Sequence, residues 1–244
     1  MKALKHANCT FPQAGYPYMD SHRSGLCIGA SGTGKTHWLI SLLLGPMRGK
    51  HTRIWVASPS CRRGIDPLWD QFRDYIESTD WGHEEVMLDT WDEETEEKLR
   101  ELVTTHGRIN AELKRMGKKR LHSACLVVDD FSDEPRFHSN TSLLSMIFLR
   151  GRHMGVQAIT MSQRYRAQST VARSQACWLV VFRLCNKKEL EAIIEELSAV
   201  YPPKTLERLY QAATDERHSF LYVNLLADRK EDMFFRNFDQ RMLP

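Results

Sequence analysis

The chain has 244 residues, 42% hydrophobic and 27% charged, with 34 Lys and Arg against 31 Asp and Glu for a formal net charge of +3. This composition excludes disordered, collagen-like and coiled-coil rod classes, and the length suffices for one full hydrophobic core. A pI near 8.5 is too mild to identify a nucleic-acid binder by charge alone, so any such surface must be local.

The longest apolar stretches, 39–44 and 179–182, fall far short of the roughly 20 residues that span a bilayer. Neither membrane insertion nor secretion is expected. The six cysteines, Cys9, Cys27, Cys61, Cys125, Cys177 and Cys185, form no C-x-x-C pair, which favours buried reduced thiols over a disulfide framework or a zinc site.

Residues 1–20 mix Pro12, Pro17, Gly15 and aromatics without periodicity, and are expected to form an irregular arm on a single domain spanning 21–244. Leu26-Cys27-Ile28, a glycine-rich turn and an apolar run from Trp38 to Leu44, ended by Gly45-Pro46, predict strand, loop and helix. Arg53 to Ala57, stopped at Pro59, predicts a second strand, and Val86-Met87-Leu88 a short third. From 91 to 116 the pairs Glu94/Lys98 and Glu96/Arg100, with Leu99, Leu102, Val103, Ile109 and Leu113, predict an amphipathic helix broken near Gly107. Its acidic start and basic end suit the helix dipole.

Three continuous apolar runs, 125–128, 156–161 and 177–182, read as strands buried on both faces. Helices are expected at 141–149, 188–197 and 204–213, and 219–225 with 233–235 form a closing antiparallel pair around a turn at 227–231. Alternating strands and helices without an internal repeat predict one α/β domain.

Gly29-Ala30-Ser31-Gly32-Thr33-Gly34-Lys35-Thr36 matches G-x-x-x-x-G-K-[ST] between a predicted strand and a predicted helix. Glycines let the backbone wrap a phosphate with its N–H groups, Lys35 reaches the β- and γ-phosphates, and the Thr36 hydroxyl suits magnesium. ATP and Mg2+ are the expected ligands. Ala124 to Asp130 is an apolar strand ending in two acids, a Walker B pattern. Asp129 is expected to hold magnesium and Asp130 to orient the attacking water. Gln163, after the strand ending Thr160-Met161-Ser162, is expected to reach the γ-phosphate or the attacking water, since ligands of open α/β sheets bind at the carboxyl ends of the strands.

Arg150, Arg152, Arg164, Arg166 and Arg173 crowd one interval. One of them, Arg152 first and Arg173 second, is expected to reach a neighbouring subunit's nucleotide as an arginine finger. His51, His83, His106, His122 and His218 lack metal-ligand spacing and read as structural or surface residues. Trp38, Trp55, Trp91 and Trp178 read as core.

Taken together, these blocks resemble the genome-packaging ATPases of large double-stranded DNA viruses and their relatives, within the FtsK/HerA-like translocases. The resemblance is carried by residues 28–36, by Trp55-Val56-Ala57-Ser58-Pro59, by Leu126 to Phe131, by Gly151-Arg152-His153 and by Met161-Ser162-Gln163, with a similar closing strand at 220–225. It implies a RecA-like core, a homo-oligomeric ring around double-stranded DNA, and ATP hydrolysis at subunit interfaces that drives duplex into a preformed capsid. It also implies a capsid or vertex partner and work at virus assembly sites in the host cytoplasm or nucleus. Translocases of the wider superfamily usually place Glu where this chain has Asp130. The residues that grip DNA carry no code, and 114–120 and Arg62-Arg63 are the candidates. Two other readings of the phosphate loop stay open: a nucleotide or small-molecule kinase, and an ATP-gated interaction protein.

Overall fold

A computed structural model describes residues 10–78, 87–131, 134, 136, 139 and 141–244. Cys9, His83 and Val86 lie outside them. Among the described residues, nine strands form one sheet: β1 (Gly25–Ile28), β2 (Arg53–Ala57), β3 (Met87–Leu88), β4 (Ala124–Asp129), β5 (Val156–Ser162), β6 (Trp178–Phe182), β7 (Phe220–Asn224), β8 (Phe234–Arg236) and β9 (Gln240–Arg241). Their order is β3-β2-β4-β5-β1-β6-β7-β8-β9, parallel from β3 to β6 and antiparallel from β6 to β9. The mainly parallel α/β sheet with an antiparallel end matches the expectation, and β9 adds a strand to it.

The parallel strands are mainly apolar because helices cover both faces. Every residue of β1, β4 and β5 is buried. Leu39 and Leu43 of α1 (Lys35–Leu44) join the same continuous core, each worth about 1.5–3 kcal/mol of transfer free energy. Trp38, Trp55, Trp91 and Trp178 are all buried. Cys27, Cys61 and Cys125 are buried free thiols, but Cys177 is half-buried and Cys185 exposed, because both flank β6 rather than lie within it.

Helix α2 (Pro67–Glu77) was not anticipated, although its signals are local: the Asp66 carboxylate accepts from Leu68 N, Pro67 opens the first turn, and Trp69, Phe72 and Ile76 are buried. Helix α3 (Glu93–Arg115) starts on an Asp92 cap and runs unbroken through Gly107. A Cβ there would approach Met154 to 3.1 Å, so this glycine serves a close helix contact and not a break. Helix α4 (Leu143–Met154) runs more than a turn beyond the expected end at residue 149 and stops at Gly155, whose φ of 78° gives it a left-handed cap. A short α5 (Thr170–Gln175), also unanticipated, precedes β6. Helices α6 (Lys187–Leu197) and α7 (Pro203–Ala213) lie as expected. Among the described residues no helix is long and apolar enough to cross a membrane.

Candidate nucleotide site

Because β1, β4, β5 and β6 are parallel, the residues that follow each of them gather on one edge of the sheet. The loop 29–34 leaves β1 there. Gly29 N donates to Ser162 O at 3.1 Å and Ala30 N to Arg183 O at 3.0 Å, which ties the loop's entry to the ends of β5 and β6. Gly32 and Gly34 have φ of 72° and 98°, left-handed values that favour glycine. Helix α1 then begins with no side-chain cap and no acid in its first turn. Its N-terminal N–H groups and positive dipole end therefore suit an external anion. The Lys35 ammonium curls into the loop and donates to Gly29 O at 2.9 Å and Ala30 O at 3.0 Å.

Strand β5 lies between β1 and β4, so Gln163, exposed immediately after β5, emerges between the phosphate loop and the two acids. Asp129 is 7% exposed. Its carboxyl is pushed up to about 7, by burial first and by the neighbouring Asp130 carboxylate second, with the Lys35 ammonium and a hydrogen bond to Ser58 partly opposing them. Asp130 adopts a φ of 59° and sits, exposed, on the wall of a cleft shared with Asp89, Asp92, Glu93 and Glu134.

The arginines are elsewhere. Arg152, near the end of α4, precedes β5, and Arg173 of α5 precedes β6, so both lie on the sheet edge opposite the phosphate loop. They line one cleft with His22, Arg23 and Cys177. Neither lies beside its own chain's phosphate loop. Arg173 is already engaged: its guanidinium pairs with Glu196 and lies 5.5 Å from the Tyr165 ring centroid. Arg152 is exposed, with a 3.2 Å contact from Nε to His153 Nε2. Of the candidate DNA-gripping residues, Arg62 and Arg63 form exposed pairs with Asp89 and Glu77, and Lys114 donates to His153 O at 3.2 Å.

Two contributors escaped the sequence reading. Ser58, fully buried after β2, holds the Asp129 carboxylate. His218, with a φ of 67°, donates from Nδ1 to Thr33 O of the phosphate loop at 3.1 Å. Ser58 stands in the quoted 55–59 block, but its reach to Asp129 depends on β2 pairing with β4. Nothing local marks His218, which meets the loop across 185 positions.

A protein-family model described as "Poxvirus A32 protein" matches residues 22–230. Among solved structures, the genome packaging NTPase B204 from Sulfolobus turreted icosahedral virus 2, in complex with AMP, aligns with a TM-score of 0.59 and 16% identity over 89% of this chain and 98% of that one. EssC (ATPases 2 and 3) from Geobacillus thermodenitrificans aligns with a TM-score of 0.57 and 13% identity over 91% of this chain and 41% of that one. The pCW3 conjugation coupling protein TcpA with ATPγS aligns with a TM-score of 0.53 and 14% identity over 86% and 60%. At these identities the likeness is one of fold. No curated protein matches the sequence. The resemblance read from the sequence motifs is borne out by the family match and by these folds.

Proposed function

We propose, on the premise that this chain belongs to the poxvirus A32 protein family, that it hydrolyses ATP to drive double-stranded DNA into a capsid. The observation that carries this reading is the phosphate loop at the uncapped start of α1, on the same sheet edge as Gln163 after the adjacent β5 and Asp129 at the end of β4, one strand further. The related B204 fold is that of a genome packaging NTPase crystallised with AMP and ATPγS, which supports both the nucleotide and the task.

In this reading the loop's backbone N–H groups and the Lys35 ammonium hold the β- and γ-phosphates, moving Lys35 off Gly29 O and Ala30 O. The Thr36 hydroxyl and the Asp129 carboxylate are hard oxygen donors that fit Mg2+, which takes few protein ligands and completes its shell with water and phosphate. A buried carboxylate pushed towards neutrality suits a group that ionises beside a cation. The metal, when bound, neutralises charge on the phosphates. Asp130 and Gln163 orient the attacking water, with the shorter Asp130 side chain replacing the usual glutamate.

Arg152 completes the site of a neighbouring copy in a ring, since its own loop lies on the far edge. Arg173 is the weaker candidate, because Glu196 and Tyr165 already hold it. The exposed cations of 114–120 meet the DNA backbone without sequence preference. The protein works at virus assembly sites in the host cell, docked to a capsid or vertex protein.

The test is steady-state phosphate release with and without linear duplex DNA at two salt concentrations, with Lys35→Ala as the blank. Salt-sensitive stimulation by duplex is the expected result. Phosphate transferred instead to an added nucleoside monophosphate would establish the kinase, and a nucleotide bound unchanged for hours would establish the switch.

A further inference from the structure

Helix α3 meets the end of α4 through Gly107, Asn110 and Lys114, which are spaced three and four apart and so share one helix face. A Cβ at Gly107 would stand 3.1 Å from Met154 Cγ, so the glycine lets the two helices close. Asn110 is fully buried. Its Nδ2 donates to Met154 O at 2.7 Å and to His122 O at 2.9 Å, and its Oδ1 accepts from His122 N at 3.0 Å. One turn further on, Lys114 Nζ donates to His153 O at 3.2 Å. The carbonyls of His153 and Met154 are among the last four of α4, which lack partners within a helix. Asn110 and Lys114 supply donors to both, and the ammonium also suits the negative end of the helix dipole.

The two donors differ in kind. Asn110 is uncharged, sealed from solvent and bound to three backbone atoms, which makes it a fixed clamp. Lys114 is exposed, its partner is a neutral oxygen, and it opens the basic run of Lys114, Arg115, Lys118, Lys119 and Arg120. A DNA phosphate arriving on that run carries a full charge and holds an ammonium more strongly than a peptide carbonyl does. Lys114 therefore has two alternative partners, His153 O or a phosphate. His153 directly follows Arg152 in the chain, and Arg152 Nε lies 3.2 Å from His153 Nε2, so the bond from Lys114 restrains the turn that carries the arginine.

We propose that Lys114 is a positioning residue for Arg152. Its bond to His153 O holds the last turn of α4 back when no DNA is bound. A duplex phosphate that takes the ammonium frees this turn to carry Arg152 to the neighbouring copy, with Asn110 as the fixed point at Met154. DNA contact is thereby linked to hydrolysis. This rests on the reading of 114–120 as the DNA contact and of Arg152 as the arginine acting in trans.

The experiment uses the full chain and linear duplex DNA. Lys114→Met keeps the apolar stem and removes the donor, and thermal melting checks its fold. Phosphate release without DNA should rise about threefold, the scale of one exposed hydrogen bond, while stimulation by saturating duplex falls by half or more. A merely structural role would lower the DNA-free rate or leave it alone, and either result overturns the proposal. Hydrogen exchange in the unsubstituted chain gives a second measurement: duplex should speed exchange of the amides of 152–155, and unchanged or slower exchange there overturns the release of the turn. Two controls separate the premises. If Lys119→Ala with Arg120→Ala leaves duplex affinity unchanged, 114–120 is not the DNA contact, and if Arg152→Ala keeps the parent rate, Arg152 is not the trans arginine; in either case the proposal falls with its premise. With both premises standing, a failure of Lys114→Met counts against the relay alone.

Discussion

At the carboxyl ends of β1, β4 and β5, each functional group follows its strand almost at once: the loop from Gly29, Asp129 with Asp130, and Gln163. At the amino ends of β1, β5 and β6, Arg23, Arg152 and Arg173 come from separate segments and meet in one cleft. The first edge offers backbone donors, a lysine and carboxylates, a set that can bind a phosphate chain within one molecule. The second offers cations that its own chain's phosphates cannot reach. In the ring proposed above, one copy's carboxyl edge would face a neighbour's amino edge, and a chain that binds a nucleotide alone would need company to hydrolyse it quickly.

Variants at the two edges should therefore behave differently. Lys35→Ala removes the loop's only side-chain cation and should reduce phosphate release by at least about 10³-fold in any mixture of subunits whose other member is also defective in the loop. Arg152→Ala should lose about 10³-fold alone, yet mixing it with Lys35→Ala subunits should restore part of the rate, because some interfaces then carry an intact loop facing an intact arginine. A mixture with no more activity than its parts would falsify the trans assignment of Arg152. Arg173→Ala should lower the melting temperature through lost contact with Glu196 and Tyr165, with a much smaller effect on turnover.

Asp129→Asn probes the buried carboxylate. Its pKa is raised to about 7 from an ordinary 3.8, so ionisation is penalised in the folded chain: the penalty is absent below about 3.8, grows as pH rises, and is complete above about 7. The asparagine variant should thus be more stable than the parent by about 2–4 kcal/mol at pH 8 without metal, with the gain vanishing near pH 4. Chemical denaturation at the two pH values measures this, and an equal effect at both would show that Asp129 is not penalised. Phosphate release should fall despite the higher stability.

Gly155→Ala tests the support beneath both edges. Its φ is 78°, and an added Cβ would lie 2.5 Å from Asn110 Nδ2 and 2.6 Å from His122 O, so a loss of about 2–4 kcal/mol is expected on denaturant unfolding. The smallest effect is expected from His218→Ala, which frees Thr33 O and should raise the KM for ATP about twofold to fivefold with little change in kcat. A large drop in kcat instead would mean that His218 acts on the reaction and not on loop placement.

Much of the carboxyl edge was legible in the chain because its signals are local. A glycine-rich turn between an apolar strand and a helix, and an apolar strand ending in Asp129-Asp130, each need only neighbouring residues to be read. Helix α2 is equally local in its Asp66-Pro67 start. The break expected at Gly107 illustrates the opposite case: glycine lowers helix propensity, but packing against Met154 overrode it. His218 gave no local signal at all.

By itself, the amino-acid sequence determined the alternation of strands and helices, the phosphate loop and the paired acids, since periodicity and turn chemistry act over a few residues. Tertiary structure alone decided the strand order that inserts β5 between β1 and β4, the burial that lifts the Asp129 carboxyl, and the separation of Arg152 and Arg173 from their own phosphate loop. Each of these depends on which strands pair across long stretches of chain, and pairing is set by the global burial of apolar faces rather than by any short run of residues.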